Sequence, residues 1–301
     1  MRERPTVTVV IPCFDQARFL PAAVASVRAQ RCAPGCLVVD DGSTDDTAAV
    51  ATRLRVQLLR QTNAGVSAAR NAGLAATRSD RVVFLDADDE LLPGAIDAEL
   101  AAFDRHAGAA AVVGRCQPMD ADGTVLPVHH HDVDVGNLYR EWLRHNFVWT
   151  PGAALFDRRA LEAIGGFPRH LGPAADYAVY LALARTNRVV FLPHEPVRYR
   201  QHAGSMSRDP ALMLRATIGV LRREQRAAPA WARDPIRAGL DAWRQWYGEQ
   251  ILDDLGAEWR GGRFGPRTVR AALTLLRHCP ALVLRRTAGR SRRALGWRTT
   301  P

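Results

Sequence analysis

Lysine is absent. All 41 fixed positive side chains of this 301-residue chain are arginine, a pattern that reads as coding bias rather than functional choice. Cysteine is scarce: Cys13, Cys32, Cys36, Cys116 and Cys279 are odd in number and scattered. That excludes a disulfide framework and suits a reducing compartment. Cys32 and Cys36 have the look of half a zinc site, yet no second pair lies near them. No apolar stretch reaches membrane-spanning length. The apolar run after Arg2 and Arg4 is stopped by Asp15, too early for a signal-peptide core. The expectation is a soluble, cytoplasmic chain.

What is present begins with charge. The net charge is +10, but residues 1–255 are balanced, with 30 Arg against 30 acidic residues. Residues 256–301 carry 11 Arg and a single Glu. There Leu273, Leu275, Leu276, Leu282, Val283 and Leu284 interleave with Arg270, Arg277, Arg285 and Arg286, and Pro280 interrupts the helix. A basic amphipathic segment of this kind can lie on an anionic membrane face, so peripheral contact with the inner membrane is one expectation and a solvated Arg-rich tail the other. A nucleic-acid partner would account for a pI near 10.3. The neutral body, the acidic motifs and the lack of a recognition motif argue against it.

At 47% hydrophobic residues the chain can bury a full core. Short β-branched runs at 6–11, 37–39, 56–59 and 82–85 alternate with helical periodicities at 20–30, 43–54, 67–76 and 93–106. Ser43 with Asp46, and Ser67, read as helix caps, and Pro93 as a first-turn proline. The fold class is therefore α/β, with a mainly parallel sheet flanked by helices and right-handed crossovers. After residue 114 the alternation breaks; His129, His130 and His131 fall in a polar loop. Beyond Pro210 the chain reads as helical, with Ile236, Leu240, Trp243, Tyr247, Ile251 and Leu255 forming one stripe. A catalytic domain over 1–207, divided near 115 into a nucleotide half and an acceptor half, would precede a helical extension over 208–301.

Four clusters stand at successive strand ends: Val10 to Asp15, Val39 to Thr47, Asn63 to Asn71 and Phe84 to Asp89. In open α/β sheets ligands sit outside the carboxyl ends of strands, so the clusters describe one site. Asp86 and Asp88, two apart on an extended strand, point the same way, so the strand end can present two carboxylates together. Carboxylates gathered there call for a divalent cation, and such a cation is often shared with substrate phosphates. Asp40 and Asp41 are placed to receive a base N–H and ribose hydroxyls. Arg70, in the first turn of the helix that follows Gly65, can grip phosphate.

In order and approximate spacing these clusters resemble the family 2 inverting glycosyltransferases, with the A-type glycosyltransferase (nucleotide-diphospho-sugar transferase) fold. The resemblance covers about residues 5–207. It implies that Pro12, Phe14, Asp40 and Asp41 line the base and ribose of a nucleotide-diphospho-sugar, UDP-linked by expectation, with Arg70, Asp86 and Ala87 in the same donor site. Phe14 and Asp15 replace the usual Tyr-Asn. Asp88 would hold Mg²⁺ or Mn²⁺, and His202, within Tyr199-Arg200-Gln201-His202, would complete the metal shell or touch the diphosphate. Trp149 to Phe156 and Ile164 to Phe167 resemble the segment beneath the acceptor. Asp176 aligns with the general base, although Ala175 replaces the usual preceding Glu. The implied acceptor is a glycan or a lipid-linked molecule of cell-envelope or exopolysaccharide synthesis. A nucleotidyltransferase would need a Gly-rich phosphate loop that Pro12-Cys13-Phe14 does not form. A catalytically silent nucleotide-sugar binder is the alternative that Ala175 leaves open.

Overall fold

The computed structural model describes residues 5–262 and 264–286. Its first third follows the predicted alternation. Strands β1 (Val7–Cys13), β2 (Gly35–Asp40), β3 (Gln57–Arg60) and β4 (Arg81–Phe84) are separated by α1 (Leu20–Arg28), α2 (Thr47–Arg53) and α3 (Val66–Ala76). The short β5 (Glu90–Leu91) and α4 (Ala95–Arg105) come next. The middle of the chain contributes β6 (Ala109–Val113), β7 (Cys116–Met119), α5 (Leu138–Arg144), β8 (Ala154–Asp157), α6 (Arg158–Ala163), α7 (Ala175–Thr186), β9 (Arg188–Phe191) and β10 (Val197–Arg200). Three helices follow: α8 (Pro210–Glu224), α9 (Arg233–Arg260) and α10 (Pro266–His278).

The main sheet has seven strands in the order β3-β2-β1-β4-β8-β6-β9. Only β8 runs antiparallel to its neighbours, and the other pairings are parallel. Apolar side chains such as Val82, Val83 and Phe84 are buried at consecutive positions, as a sheet covered on both faces requires. Strand β1 lies between β2 and β4, so the connections leave it in opposite directions and open a crevice at its carboxyl end. A smaller sheet, β5-β10-β7, pairs Arg198 with Glu90 and brings β10 beside the loop after β4.

Several helix starts differ from the predicted caps. Ser43 does not cap α2: its hydroxyl accepts from the Asp15 N–H at 3.0 Å, and its own N–H donates to Asp40. Asp46 stands at the N-cap of α2 but makes no side-chain cap bond. Ser67 lies one residue inside α3, buried, because Gly65 at φ 90° ends the preceding loop. Pro93 precedes α4 rather than entering it. For Ser43, contacts between loops take the groups that local capping would have used.

The C-terminal helices use the predicted stripe. Ile236, Leu240 and Ile251 of α9 are buried, and Trp243 stacks on Tyr247 at 5.4 Å. Leu275 and Cys279 are also buried, so part of the basic apolar segment faces inward. Residues beyond 286, including the last arginines of the tail, lie outside the described residues. Among the described residues no helix is long and apolar enough to cross a membrane.

The close seating of α3 on β1 positions the site. A Cβ at Gly73 would lie 2.2 Å from Val10 Cγ1, so only hydrogen fits between helix and strand. Gly73→Ala should lower stability by about 1–3 kcal/mol, the usual cost of overpacking. Urea unfolding monitored by circular dichroism would check this, and an unchanged midpoint would contradict the close seating.

Candidate active site

The crevice at the end of β1 is a cavity of about 410 Å³. Pro12, Phe14, Asp41, Arg70, Asp86, Ala87, Asp88 and Asp176 all line it, together with Trp149, Tyr199 and Arg200. Residues separated by more than 160 positions thus meet in one hollow, from Pro12 to Asp176. Its volume falls in the range of ordinary small-ligand sites.

Asp40 does not face this cavity. It is the last residue of β2, and neighbouring strand side chains point to opposite faces. Its carboxylate is fully buried, accepting from the Ser43 N–H at 2.8 Å and from Arg60 Nε at 2.9 Å. Asp41, one residue on, does face the cavity. It accepts from Gln61 Nε2 and from the N–H groups of Ala64 and Gly65, at 2.7, 2.9 and 2.8 Å. The two carboxylates read together in the sequence therefore separate: one braces the turn, and the other braces the next loop from the cavity side. Gly42, at φ 79°, makes the reversal between them.

The first loop is tied to the second in the same way. Asp15 takes the left-handed conformation at φ 51° and accepts from the Thr44 N–H at 2.7 Å. Phe14 beside it is 44% exposed, leaving its ring face open to the hollow.

Asp86, Ala87 and Asp88 share the cavity, though not as an extended strand. β4 ends at Phe84, and the Asp89 N–H closes a turn onto the Asp86 carbonyl at 3.0 Å. Arg70 lies in the second turn of α3, not its first, and is buried. Its Nη2 donates to Asp86 Oδ1 at 2.6 Å, and its guanidinium lies 5.3 Å from the centre of the Phe167 ring. The Arg70 Nε is buried without a partner among the described residues. Asn71, beside it, holds the Phe167 backbone by two bonds of 2.8 Å and so fixes that ring.

Asp88 pairs with His202: Nε2 lies 2.8 Å from Oδ2. The Gly204 N–H donates to His202 Nδ1 at 3.1 Å, which leaves the proton on Nε2, facing Asp88. His202 is buried, its ring centre 5.1 Å from that of Phe19 in a tilted contact, behind the cavity wall rather than among the lining residues. Burial and then the neighbouring Asp86 push the Asp88 carboxyl upward. Asp89 is pushed well above the usual carboxylate range by burial, with Asp88 and Asp86 adding to it.

Asp176 sits in the first turn of α7, 5% exposed and lining the cavity. Burial raises it to about 7, against the lowering influence of Arg70 and of the Tyr177 N–H. The carboxylate is thus tuned to accept a proton near neutrality. Ala175 beside it is fully buried, so no carboxylate stands where the family's Glu would be.

Sequence reasoning missed two buried supports. Asp89 is completely enclosed, accepting from the Arg200 N–H at 2.8 Å and from Thr150 Oγ1 at 3.1 Å. Arg200 clasps the same loop, donating to the Asp88 carbonyl at 2.8 Å and to Glu90 at 2.6 Å. The available signal was the Tyr199-Arg200-Gln201-His202 run, in which Arg200 ends β10. The His129–His131 loop is not part of the cavity; His130 pairs with Glu195 at 2.8 Å. Among the described residues no group of three or more His, Cys, Asp or Glu side chains could hold a metal ion unaided.

A mostly parallel sheet with an acidic, arginine-braced cleft at its switch point defines an A-type glycosyltransferase-like fold. The chain belongs to Glycosyl transferase family 2, whose pattern it matches over residues 8–165. It is 39% identical over 113 residues to an uncharacterized glycosyltransferase of Mycobacterium tuberculosis (strain ATCC 25618 / H37Rv), covering 38% of this chain and 50% of that protein. It is 26% identical over 196 residues to the chondroitin synthase of Escherichia coli, covering 61% of this chain and 27% of that one. The chain therefore spans half or less of the length of these relatives. Among solved structures, S. aureus TarS 1–349 superposes with a TM-score of 0.61 at 18% identity, covering 78% and 70% of the two chains. The Pyrobaculum calidifontis mannosyltransferase PcManGT, in complex with GDP-Man and Mn²⁺, gives a TM-score of 0.60 at 19% identity, covering 91% and 88%. At these identities the likeness is one of fold.

The charge arrangement makes a direct prediction. Arg70→Met removes the cation that holds Asp176 down, so the Asp176 carboxyl should titrate above about 7 in the metal-free protein. Carboxyl ¹³C NMR of aspartate-labelled protein measures it. A midpoint that stays or falls would contradict the coupling.

Proposed function

We propose that this chain is an inverting glycosyltransferase that moves a sugar from a nucleotide-diphospho-sugar, a UDP-sugar, to an acceptor hydroxyl in cell-envelope or exopolysaccharide synthesis. The observation that carries the reading is the single cavity in which Asp41, Arg70, Asp86, Asp88 and Asp176 converge. Family membership and the nucleotide-bound relatives of like fold support it: TarS has been crystallised with UDP and with UDP-GlcNAc.

In this reading Pro12 and Phe14 flank the base, and Asp41 and Asp86 receive ribose hydroxyls. Ala87 leaves room between the two carboxylates of an Asp-x-Asp arrangement. The crowding of Asp86, Asp88 and Asp89 fits a divalent cation, because negative groups that raise one another are relieved by one. Asp88 would hold Mg²⁺ or Mn²⁺ together with diphosphate oxygens, and the ion would stabilise the charge of the departing diphosphate. His202, whose two ring nitrogens are engaged by Asp88 and the Gly204 N–H, orients that carboxylate from behind rather than joining the metal shell. Arg70 contributes a buried positive charge to the same wall.

Asp176 acts as general base. It takes the proton of the acceptor hydroxyl as that oxygen attacks the anomeric carbon from the face opposite the leaving group, inverting its configuration. Burial at the start of α7 excludes water from the carboxylate and keeps its basicity matched to neutral solution.

The tail supports a membrane-facing role for the enzyme. Val269, Leu273 and Leu276 form an exposed stripe on α10 beside Arg270 and Arg277, and Trp259 and Phe264 are exposed just before it. On this basis the working location is cytoplasmic, with peripheral contact at the inner membrane face.

Three outcomes test the reading. A thermal-shift screen of UDP-, GDP- and dTDP-sugars with Mn²⁺ should single out one donor; stabilisation by none would overturn donor binding. Asp176→Asn should reduce transfer by about 10²–10⁴-fold while the donor shift persists. Substantial residual turnover would reassign the base. Because the base must be ionised, kcat/KM should rise with pH and level off near 7. A profile flat between pH 5 and pH 8, on the order of three units, would remove Asp176 from the proton transfer.

A further inference from the structure

A second hollow of about 510 Å³ adjoins the first, and Pro173 lines both. One wall is the turn carrying His170 and Pro173, immediately before Asp176. The other is α8 and the turn that follows it: Arg215, Arg222 and Arg223 lie on the helix, and Arg226 lies two residues past its end. Arg215 and Arg222, two turns apart, share one helix face, and Arg223 flanks it. From Arg215 to Arg223 the helix rises about 12 Å at 1.5 Å per residue.

The charge on this face is uncompensated. Among the described residues none of the four arginines has a carboxylate partner. The sole acid of α8, Glu224, points elsewhere: it is buried and bound to Arg185 and the Tyr139 hydroxyl, both at 2.7 Å. Arg215 alone is tethered, donating to Thr274 Oγ1 of α10 at 2.9 Å. The nearby His278 is held below the usual imidazole range, first by burial and then by Arg222, Arg277, Arg244 and Arg215. Like charges gathered at neighbouring positions repel one another. An anionic ligand lying along the groove would offset that repulsion.

Since this inference rests on the proposed transferase reading, the hollow that meets the donor cavity beside the base is where acceptor must lie. The geometry points to the α8 groove as a subsite for phosphate or diphosphate groups of the acceptor. Arginine forks bind phosphate oxygens in pairs, and the groove is long enough to engage more than one such group. The sugar-accepting hydroxyl would enter past Pro173 to reach Asp176, while the anionic part stays among the arginines. Selection of acceptor would then depend on charge in this groove, away from the reacting atoms.

The test uses the full chain with its donor cavity blocked by saturating UDP and Mn²⁺. The soluble probes are a fluorescein-labelled linear polyphosphate, followed by anisotropy, and geranyl diphosphate, followed by thermal shift. The triple variant Arg222→Gln, Arg223→Gln, Arg226→Gln should weaken both probes by about tenfold or more. A charge-matched variant, Arg53→Gln, Arg105→Gln, Arg159→Gln on α2, α4 and α6, none of which lines either hollow, should change them by less than about twofold, since long-range surface charge is screened in salt. Binding of polyphosphate alone assigns a phosphate polymer, and binding of both assigns a diphosphate head group on a lipid-like chain. Equal losses in the two variants, or no binding of either probe, would overturn the subsite. A UDP-induced thermal shift measured in the same variants separates this failure from failure of the transferase reading.

Discussion

The structure around the cleft depends on keeping several carboxylates close together in a place with little water. Asp86, Asp88 and Asp89 lie on one turn, and Asp176 closes the far side of the same cavity. Like charges at low dielectric repel strongly. Two buried arginines answer this from opposite directions. Arg70, from α3, holds Asp86 and lowers Asp176, while Arg200, from β10, clasps the turn through the Asp88 carbonyl and Glu90. The residual excess of negative charge shows in Asp88 and Asp89, both displaced upward.

That electrostatic requirement explains much of the architecture. Gly73 allows α3 to approach β1 closely enough for Arg70 to reach the cavity from behind. Asn71 fixes Phe167, whose ring lies alongside the Arg70 guanidinium. The small three-stranded sheet, a minor feature by size, exists where β10 can deliver both Arg200 and, two residues later, His202. Family membership places this chain among the family 2 glycosyltransferases through residues 8–165. The arginine face of α8 belongs to a region beyond the matched residues, and there its own charge pattern is the informative feature.

The division of roles between Asp40 and Asp41 is instructive about the limits of motif reading. Both follow a strand, and both look equally available when read along the chain. The pleat sends one side chain beneath the turn, where Ser43 and Arg60 satisfy it, and the other toward the cavity. Helix caps mislead for a related reason. Ser43 and Asp15 bind each other's loops, which no local rule can anticipate, since the partners are 28 residues apart.

From sequence alone the alternation of strands and helices, the strand-end clusters, the stripe on α9 and the basic character of the C-terminal part were legible, because periodicity and composition are local properties of residue type. Asp41, Arg70, Asp86, Asp88 and Asp176 could be nominated from motif resemblance, and they do line a common cavity. Tertiary structure decided which nominees face it, turned Asp40 into a brace, and set His202 behind the wall. It also enclosed Asp89 and Arg200 and arranged the arginines of α8 beside the turn that precedes Asp176. Those outcomes depend on burial and on charges brought together from distant segments, and both arise only when the chain is packed.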